Sequence, residues 1–170
     1  MPFGHRVVES LTKRHERTPF DCGVETPNQY LKRQARQDAD RWIAAPFVLV
    51  EPPAGRVLGF YTLSSSHIDA AQIEPALAKR LPRYPRLPVT LIGRLAVDRQ
   101  LKGQRCGEHL LMDALHRSLQ HATGISAMAV VVDAKDDAAA RFCEHFGFVP
   151  LQDHPRRLYL AMETIEKLFR

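Results

Sequence analysis

The sequence lacks any long apolar run. No stretch approaches the roughly 20 consecutive apolar residues that a membrane-spanning helix needs, and the opening residues Met1–Arg6 lack the apolar core of a signal peptide. Internal repeats and low-complexity linkers are also missing from its 170 residues. We therefore expect a soluble, cytoplasmic protein without membrane contact, folded as a single domain over residues 1–170 with a sizeable core.

Cysteine is scarce and spaced wrongly for a metal site or a disulfide framework. Cys22, Cys106 and Cys143 are an odd number, and the sequence has no CxxC motif and no Cys/His pair at ligand spacing. These features predict three free thiols and no metal.

Acidic residues are outnumbered by basic ones. Lys and Arg total 24 against 19 Asp and Glu, which gives a formal net charge of +5. An excess of positive charge favours anionic partners. A nucleotide cofactor and a nucleic acid both satisfy this condition, and the charge alone does not distinguish them.

The stretch from Val89 to His109 combines three elements that suit an anionic ligand. An apolar run over residues 89–97 predicts a buried strand, and a basic loop and a helical pattern follow it. Gly103 and Gly107 allow the backbone amides to face outward, and the helix that begins nearby directs the positive end of its dipole at a bound anion. The stretch predicts a ligand that carries a polyphosphate.

The rest of the chain predicts an α/β fold built on a mixed sheet. A short strand over residues 5–11 and a hairpin over 45–51 and 57–64 form antiparallel N-terminal strands. Residues 127–133 form a second apolar run, so that strand, helix and strand make a central parallel βαβ unit. The tail suits a C-terminal antiparallel hairpin. Helices are expected from Thr26 (N-cap) and Pro27 (first helical position), within residues 69–88, along Leu110–Leu119, and from an Asp136 or Asp137 cap to Gly147.

Two basic groups are candidate contacts for an anionic substrate. Lys32, Arg33 and Arg36 share the polar face of the first predicted helix, and Arg83 lies in a basic, proline-containing loop that also holds Tyr84. Basic side chains beside an aromatic ring suit phosphate contact and base stacking. A solvated helix face and a spacer loop are the alternative interpretations.

Four segments carry a family resemblance. They are Phe20-Asp-Cys-Gly23, Gly59-Phe-Tyr-Thr-Leu-Ser64, Gly93-Arg-Leu-Ala-Val-Asp-Arg99 with the loop Lys102-Gly-Gln-Arg-Cys-Gly107, and Ala140-Arg-Phe-Cys-Glu-His-Phe-Gly-Phe148. In this order they resemble the GCN5-related N-acetyltransferases (GNAT), whose acetyl-CoA motif is Arg/Gln-x-x-Gly-x-Gly/Ala after a strand. Within that superfamily they look like the acetyltransferase toxins of bacterial toxin–antitoxin modules.

The resemblance implies a GNAT fold and acetyl-CoA as cofactor. The pyrophosphate of acetyl-CoA would meet the amides of residues 103–107, its pantetheine arm would pair with the strand edge, and an amide near Ala96 or Val97 would polarise the thioester. Arg105 stands where the family often has Gly; it is accommodated if its φ is negative, and its guanidinium suits phosphate. The implied cofactor-binding residues are Leu95, Ala96, Val97, Lys102, Gly103, Gln104, Arg105, Cys106, Gly107 and Glu108.

The proton donor for the departing CoA thiolate is the weak point of the resemblance. GNAT enzymes commonly carry a tyrosine on the helix after the parallel strand, and this chain has Cys143 at that place. Cys143 as a poorer acid, another residue such as Tyr159, and a water molecule are the alternatives. A small thiol that only fills space is a further interpretation of Cys143.

The toxin resemblance implies acetylation of the α-amine of an aminoacyl-tRNA, which blocks translation. It also implies a ribbon-helix-helix antitoxin and a homodimer. The expected substrate contacts are Lys32, Arg33, Arg36, Ser65, His67 and Arg83. Two alternatives stay open: an acetyltransferase for a small amine or a protein amino group, and an acetyl-CoA-binding protein with little turnover.

Overall fold

The computed structural model of the protein describes residues 5–170. These residues include a seven-stranded sheet with the strand order β1-β2-β3-β4-β5-β7-β6. The strands are β1 Val7–Ser10, β2 Ala45–Val50, β3 Gly59–Asp69, β4 Arg86–Val97, β5 Ala129–Asp133, β6 Val149–Leu151 and β7 His154–Ala161.

The helices are short except for one. α4 has 16 residues and carries the longest regular helical pattern of the described chain. The helices are α1 Glu25–Gln29, α2 Ala35–Asp40, α3 Pro75–Ala78, α4 Cys106–His121, α5 Asp137–His145 and α6 Met162–Leu168, with a π-helical segment at Tyr30–Gln34 and 3-10 turns at Ala70–Gln72 and Arg99–Leu101. Within residues 5–170 no helix has the length and apolar character needed to cross a membrane.

Strand pairing confirms the predicted fold class. β1 with β2 and β2 with β3 are antiparallel, and β4 with β5 is parallel from Val89↔Ala129 to Ile92↔Val132. β7 pairs antiparallel with both β5 and β6. The mixed sheet, the central βαβ unit and the C-terminal hairpin are therefore all present.

Two helix predictions are wrong in detail. Helix α1 begins at Glu25 after an N-cap at Val24 that makes no side-chain capping bond, so Thr26 is not the cap. Within residues 69–88, β3 extends to Asp69 and β4 begins at Arg86, which leaves only a 3-10 turn and the four-residue α3. Proline explains the second error, because Pro75 starts a new helix and the prolines after it prevent the helix from continuing.

The described residues group into two compact units. One comprises residues 5–64 with 93–114, and the other comprises residues 65–92 with 115–170. A single domain over residues 1–170 stays a prediction.

The first unit packs aromatic residues between the Glu25–Asp40 helical stretch and the strands. Phe20 meets Phe60 edge-on with ring centroids 5.6 Å apart, and Tyr30 stacks on Phe60 at 6.2 Å. The Tyr30 hydroxyl donates to Asp38 Oδ2 at 2.8 Å, and burial raises the pKa of this phenol. On the ring's face, the Arg94 guanidinium carbon lies 3.6 Å from the centroid. The aromatic cluster therefore joins the helix to β4.

The second unit has its own apolar cluster. Ile68, Ile73, Val131 and Tyr159 are buried there together with neighbours from β4 and β6. Asp136 caps α5, because its carboxylate accepts from the Ala139 amide at 2.8 Å. The α5 end is followed by Gly147 at φ +97, where glycine avoids the clash that a side chain would meet.

A close contact at Gly59 gives a stability prediction. A methyl group on Gly59 would lie 2.8 Å from Leu110 Cδ1 and 3.1 Å from the Ala96 carbonyl oxygen. Because Leu110 is fully buried and Ala96 is held in β4, we expect Gly59→Ala to lower the free energy of unfolding by about 1–3 kcal/mol. Urea unfolding measures this.

Gly124→Ala is the matched control for this substitution. Its added methyl would meet only the His121 carbonyl oxygen, at 3.8 Å, so we expect a change within about 0.5 kcal/mol. Equal effects of the two substitutions would contradict the close packing at Gly59.

Candidate active site

Asp98 fixes the start of the loop that follows β4. Its carboxylate accepts from the amide of Gln100 at 3.0 Å and from that of Asp21 at 3.2 Å. Its own amide donates to the Leu58 carbonyl at 2.9 Å. The role of Asp98 was not predicted from the sequence, although an Asp directly before a turn is a recognisable capping signal.

The segment Phe20–Gly23 supports this loop from the other side. The Arg99 amide donates to the Asp21 carbonyl at 2.9 Å, and the Arg99 guanidinium lies 3.1 Å from Asp21 Oδ2. Asp21 also accepts from the amide of Gly23, and this bond, followed by one from Asn28, lowers the pKa of its carboxyl group. Phe20–Gly23, the first segment of the family resemblance, therefore stabilises the conformation of this loop.

Several backbone amides of this loop have no hydrogen-bond acceptor among the described residues. Gly103 has φ +85, and α4 begins at Cys106. Within residues 5–170, the amides of Gly103 and of residues 105–108 have no hydrogen-bond acceptor, whereas those of Gln104 and His109 donate to backbone carbonyls. Unpaired amides at the positive end of a helix fit an anion such as a pyrophosphate.

Arg105 has a left-handed backbone conformation. Its φ is 59°, so the condition of a negative φ, under which an arginine is easily accommodated here, is not met. The chain needs a left-handed residue just before α4, and an arginine there is strained by about 1–2 kcal/mol. Its side chain is 88% exposed and lies 3.7 Å from Glu108 Oε2, an exposed ion pair that leaves the guanidinium accessible to a ligand.

Arg6 reaches this loop from β1's N-terminal side. Its Nη2 donates to Gln104 Oε1 at 2.7 Å, and its Nη1 donates to Cys106 Sγ at 3.4 Å. Its Nε is buried without a partner among the described residues. The role of Arg6 could not be predicted from the sequence, because 98 positions separate it from Gln104 and no local pattern indicates such a contact.

The C-terminal end of β4 provides the strand edge that is predicted to bind the pantetheine arm. Pairing between β4 and β5 ends at Ile92↔Val132, so residues 93–97 extend beyond their described parallel partner. Leu95 and Val97 are half-buried and Ala96 is buried. A strand segment with backbone groups beyond a ladder can pair with an extended ligand.

Cys143 and Tyr159 are both buried in the second unit. Burial, followed by the charge of Glu144, raises the pKa of the Cys143 thiol to about 11. Tyr159 lies in the apolar cluster on β7, and its hydroxyl accepts from the Glu74 amide at 3.4 Å. Burial raises the pKa of Tyr159 as well. Both groups are protonated and weakly acidic at neutral pH.

The predicted substrate contacts fall into two sets. In the first unit, Lys32 and Arg33 lie in the π-helical segment, and Arg36 follows in α2 at 4.0 Å from Asp40. In the second unit, Ser65 and His67 are exposed on one face of β3, and Arg83 is exposed in the loop before β4. All three cysteines are free, and residues 5–170 contain no cluster of three His, Cys, Asp or Glu that could hold a metal ion.

Comparison with known proteins identifies the family. The model of the acetyltransferase (GNAT) family matches residues 9–148. The chain belongs to this family. The GNAT assignment and GNAT fold expected from the sequence are therefore confirmed.

Individual GNAT relatives resemble the chain over nearly its whole length. The tRNA-acetylating toxin of Mycobacterium tuberculosis is 32% identical over 165 residues, which are 97% of each chain. The structure of AtaT complexed with acetyl-methionyl-tRNAfMet is 29% identical, with a TM-score of 0.91 over 98% of this chain and 100% of that one. A mutant AtaT toxin bound to the C-terminus of the antitoxin AtaR and acetyl-CoA is 27% identical, with a TM-score of 0.82 over 96% and 98%.

The strain at Arg105 gives a second prediction. We expect Arg105→Gly to leave the free energy of unfolding unchanged or to raise it by up to about 1 kcal/mol, because glycine adopts a positive φ without a steric clash. The control Lys102→Gly, at φ −55, should lose about 0.4–1 kcal/mol through the more flexible unfolded chain. Urea unfolding compares them, and an equal loss in both variants would contradict strain at Arg105.

The buried thiol gives a prediction of pH dependence. The folded pKa of Cys143, about 11, lies above its ordinary value of 9.0, so the folded state holds this proton more tightly. The resulting stabilisation is complete below pH 9 and is lost as the pH rises to 11, by about 2–3 kcal/mol in total.

Cys143→Ala tests this dependence directly. Its unfolding free energy should fall less steeply than that of the wild type between pH 9 and 11, whatever constant offset the lost side chain adds. Parallel curves for the two proteins in that pH range would show that Cys143 is not a buried thiol.

Proposed function

We propose that the protein is an acetyl-CoA-dependent N-acetyltransferase that acetylates the α-amine of aminoacyl-tRNA and thereby acts as a toxin that blocks translation. The observation that carries the proposal is the 32% identity, over 97% of both chains, to a tRNA-acetylating toxin. AtaT in complex with acetyl-methionyl-tRNAfMet adds a structural relative that covers 98% of this chain.

Acetyl-CoA supplies the acetyl group in activated form, as a thioester. The amides of Gly103 and residues 105–108 bind its pyrophosphate, since they have no other acceptor within residues 5–170. Lys102 and Arg105 are both exposed there and add positive charge. Gln104, Cys106 and Glu108 complete the loop, and Arg6 holds the first two of these side chains in position.

The Leu95–Val97 segment orients the other end of the cofactor. Its free backbone edge pairs with the pantetheine arm as an added strand would. The amide of Ala96 or Val97 then donates to the thioester carbonyl and stabilises the negative charge that develops there when the acceptor amine attacks.

Neither predicted proton donor is a strong acid in this fold. The ordinary pKa of a thiol is 9.0, whereas burial raises the pKa of Cys143 to about 11. If the CoA thiol has the ordinary value, proton transfer from Cys143 to the CoA thiolate is unfavourable by roughly 3 kcal/mol. Tyr159 is weakened by burial in the same sense. The CoA thiolate, with an ordinary thiol pKa, leaves readily without a strong acid beside it. We therefore assign its protonation to water, and Cys143 and Tyr159 are the alternative proton donors.

The tRNA would be held by positive charge and by the exposed groups of β3. Lys32, Arg33 and Arg36 line the helical stretch of the first unit, and they suit phosphates. Ser65, His67 and Arg83 supply polar contacts from the second unit. Such binding weakens steeply with salt concentration.

The cellular setting follows from the toxin proposal. The proposed site of action is the cytoplasm, where aminoacyl-tRNA is used, and the proposed form is a homodimer. A ribbon-helix-helix antitoxin is the proposed partner. Support for an antitoxin comes from the related AtaT, whose structure holds the C-terminus of the antitoxin AtaR.

Mass spectrometry of total aminoacyl-tRNA, after incubation with acetyl-CoA and the protein, tests the acceptor. We expect an acetyl group on the α-amine of at least one aminoacyl-tRNA. Arg105→Glu should lower the rate about 10-fold or more, because a charge-assisted contact to phosphate is lost and replaced by repulsion. The matched charge reversal Arg170→Glu, at a C-terminal arginine that is 68% exposed, should leave the rate unchanged.

Three results would each change the proposal. Acetylation of a small amine or a protein amino terminus, with every charged tRNA unmodified, would replace the acceptor. Acetyl-CoA binding without any acetylated product would indicate a binding protein, and recovery of turnover in Cys143→Tyr would assign the defect to the missing donor. Loss of activity in Cys143→Ala at unchanged stability would contradict the role given to water.

A further inference from the structure

Trp42 is the most unusual surface residue of the described chain. Its side chain is 94% exposed, and Ile43 beside it is 63% exposed. Trp42 also has a positive φ of 61°, a conformation that is a genuine outlier for a bulky residue. A large apolar ring is therefore held in solvent on a strained backbone.

The strain arises from the way α2 ends. The Trp42 amide donates to the Ala39 carbonyl at 3.2 Å, and the Ile43 amide donates to the Asp38 carbonyl at 2.8 Å. This pair of bonds is the Schellman helix end, whose left-handed position is normally Gly or Asn. Folding alone would favour either of those residues, so the tryptophan serves something other than the stability of this turn.

The charge around Trp42 identifies the kind of partner. Arg41 precedes it directly, and Arg33 lies about two and a half helical turns earlier. Both arginines are exposed, and among residues 5–170 neither has an acidic side chain within ion-pair distance. A free guanidinium group directly beside an exposed aromatic ring, with a second one farther along the same helical stretch, is a combination that suits unpaired nucleotides, through phosphate contact and base stacking.

We propose that Trp42 stacks on an unpaired base of the tRNA substrate, with Arg41 on an adjacent phosphate and Arg33 on a more distant one. This inference rests on the proposed acetylation of aminoacyl-tRNA and adds a specific contact to it. Lys32 and Arg36, two further basic residues, lie in the same helical stretch.

Fluorescence provides a direct test, because Trp42 is the only tryptophan of the chain. Titration of the full-length protein with uncharged tRNA should quench its emission, and added salt should reverse the quenching. A blunt-ended RNA duplex is the matched probe and should leave the emission largely unchanged, since its bases are already stacked. Equal quenching by the duplex would overturn the stacking contact.

Emission that changes only with protein concentration, or only with the antitoxin, would also overturn the proposal. The first result would assign Trp42 to a contact between two copies of the chain, and the second would assign it to a protein partner.

Substitution separates function from folding. Trp42→Asn removes the ring and places a residue that tolerates positive φ, so the melting temperature should stay equal or rise. Its kcat/KM for aminoacyl-tRNA should fall about 5- to 150-fold, the range set by base–aromatic stacking, while its Kd for acetyl-CoA stays unchanged. Trp42→Phe should recover much of the loss.

Ile125→Asn is the control, because Ile125 is also exposed, at 82%, and lies outside the proposed surface. It should keep the wild-type kcat/KM. Unchanged kcat/KM in Trp42→Asn would overturn the stacking contact while leaving tRNA acetylation in place. Quenching by tRNA in a protein that acetylates no aminoacyl-tRNA would instead keep the contact and refute the proposed function.

Discussion

The backbone amides at the start of α4 are the constraint around which the first unit is arranged. A helix leaves its first amides without partners, and here the loop before it folds so that they stay unpaired within the described chain. One side of that loop is held by a hydrogen bond between Asp21 and Asp98 and by the ion pair of Asp21 with Arg99. The other side is held by the hydrogen bond from Arg6 to Gln104. The backbone of Arg105 adopts a strained positive φ in this arrangement of the amides.

Burial sets the second constraint, and it acts against catalysis by the predicted donors. The resemblance to GNAT enzymes implies a tyrosine at the place on α5 where this chain has Cys143. In the α5 environment a thiol is less acidic than in water, and Tyr159 is engaged with Glu74 inside an apolar cluster. These pKa shifts are the reason why the proposed mechanism relies on positioning and carbonyl polarisation rather than on an acidic side chain.

Periodicity and motif spacing predicted the elements that depend on local sequence. The β2–β3 hairpin, the β4–α4–β5 crossover and the Asp136 cap follow from alternation, apolar runs and capping residues, and the structure contains all three. The helix expected within residues 69–88 is reduced to a 3-10 turn and the four-residue α3, because proline outweighs a helical pattern. The sign of φ at Arg105 and the reach of Arg6 depend on tertiary contacts, which no local pattern reports. The roles of the predicted catalytic and substrate residues stay predictions.

The Arg94 contact with Tyr30 has a consequence for how two substrates could be brought together. Arg94 belongs to β4, one residue before Leu95, and its guanidinium packs on a ring of the helical stretch that carries Lys32, Arg33 and Arg36. The basic surface and the strand edge are thus parts of one packed body. In the proposed function, nucleic acid bound at the basic surface would hold its acceptor amine near the strand edge at a high effective concentration. Folding has already fixed the positions of these two parts, so little further entropy is lost in aligning the substrates.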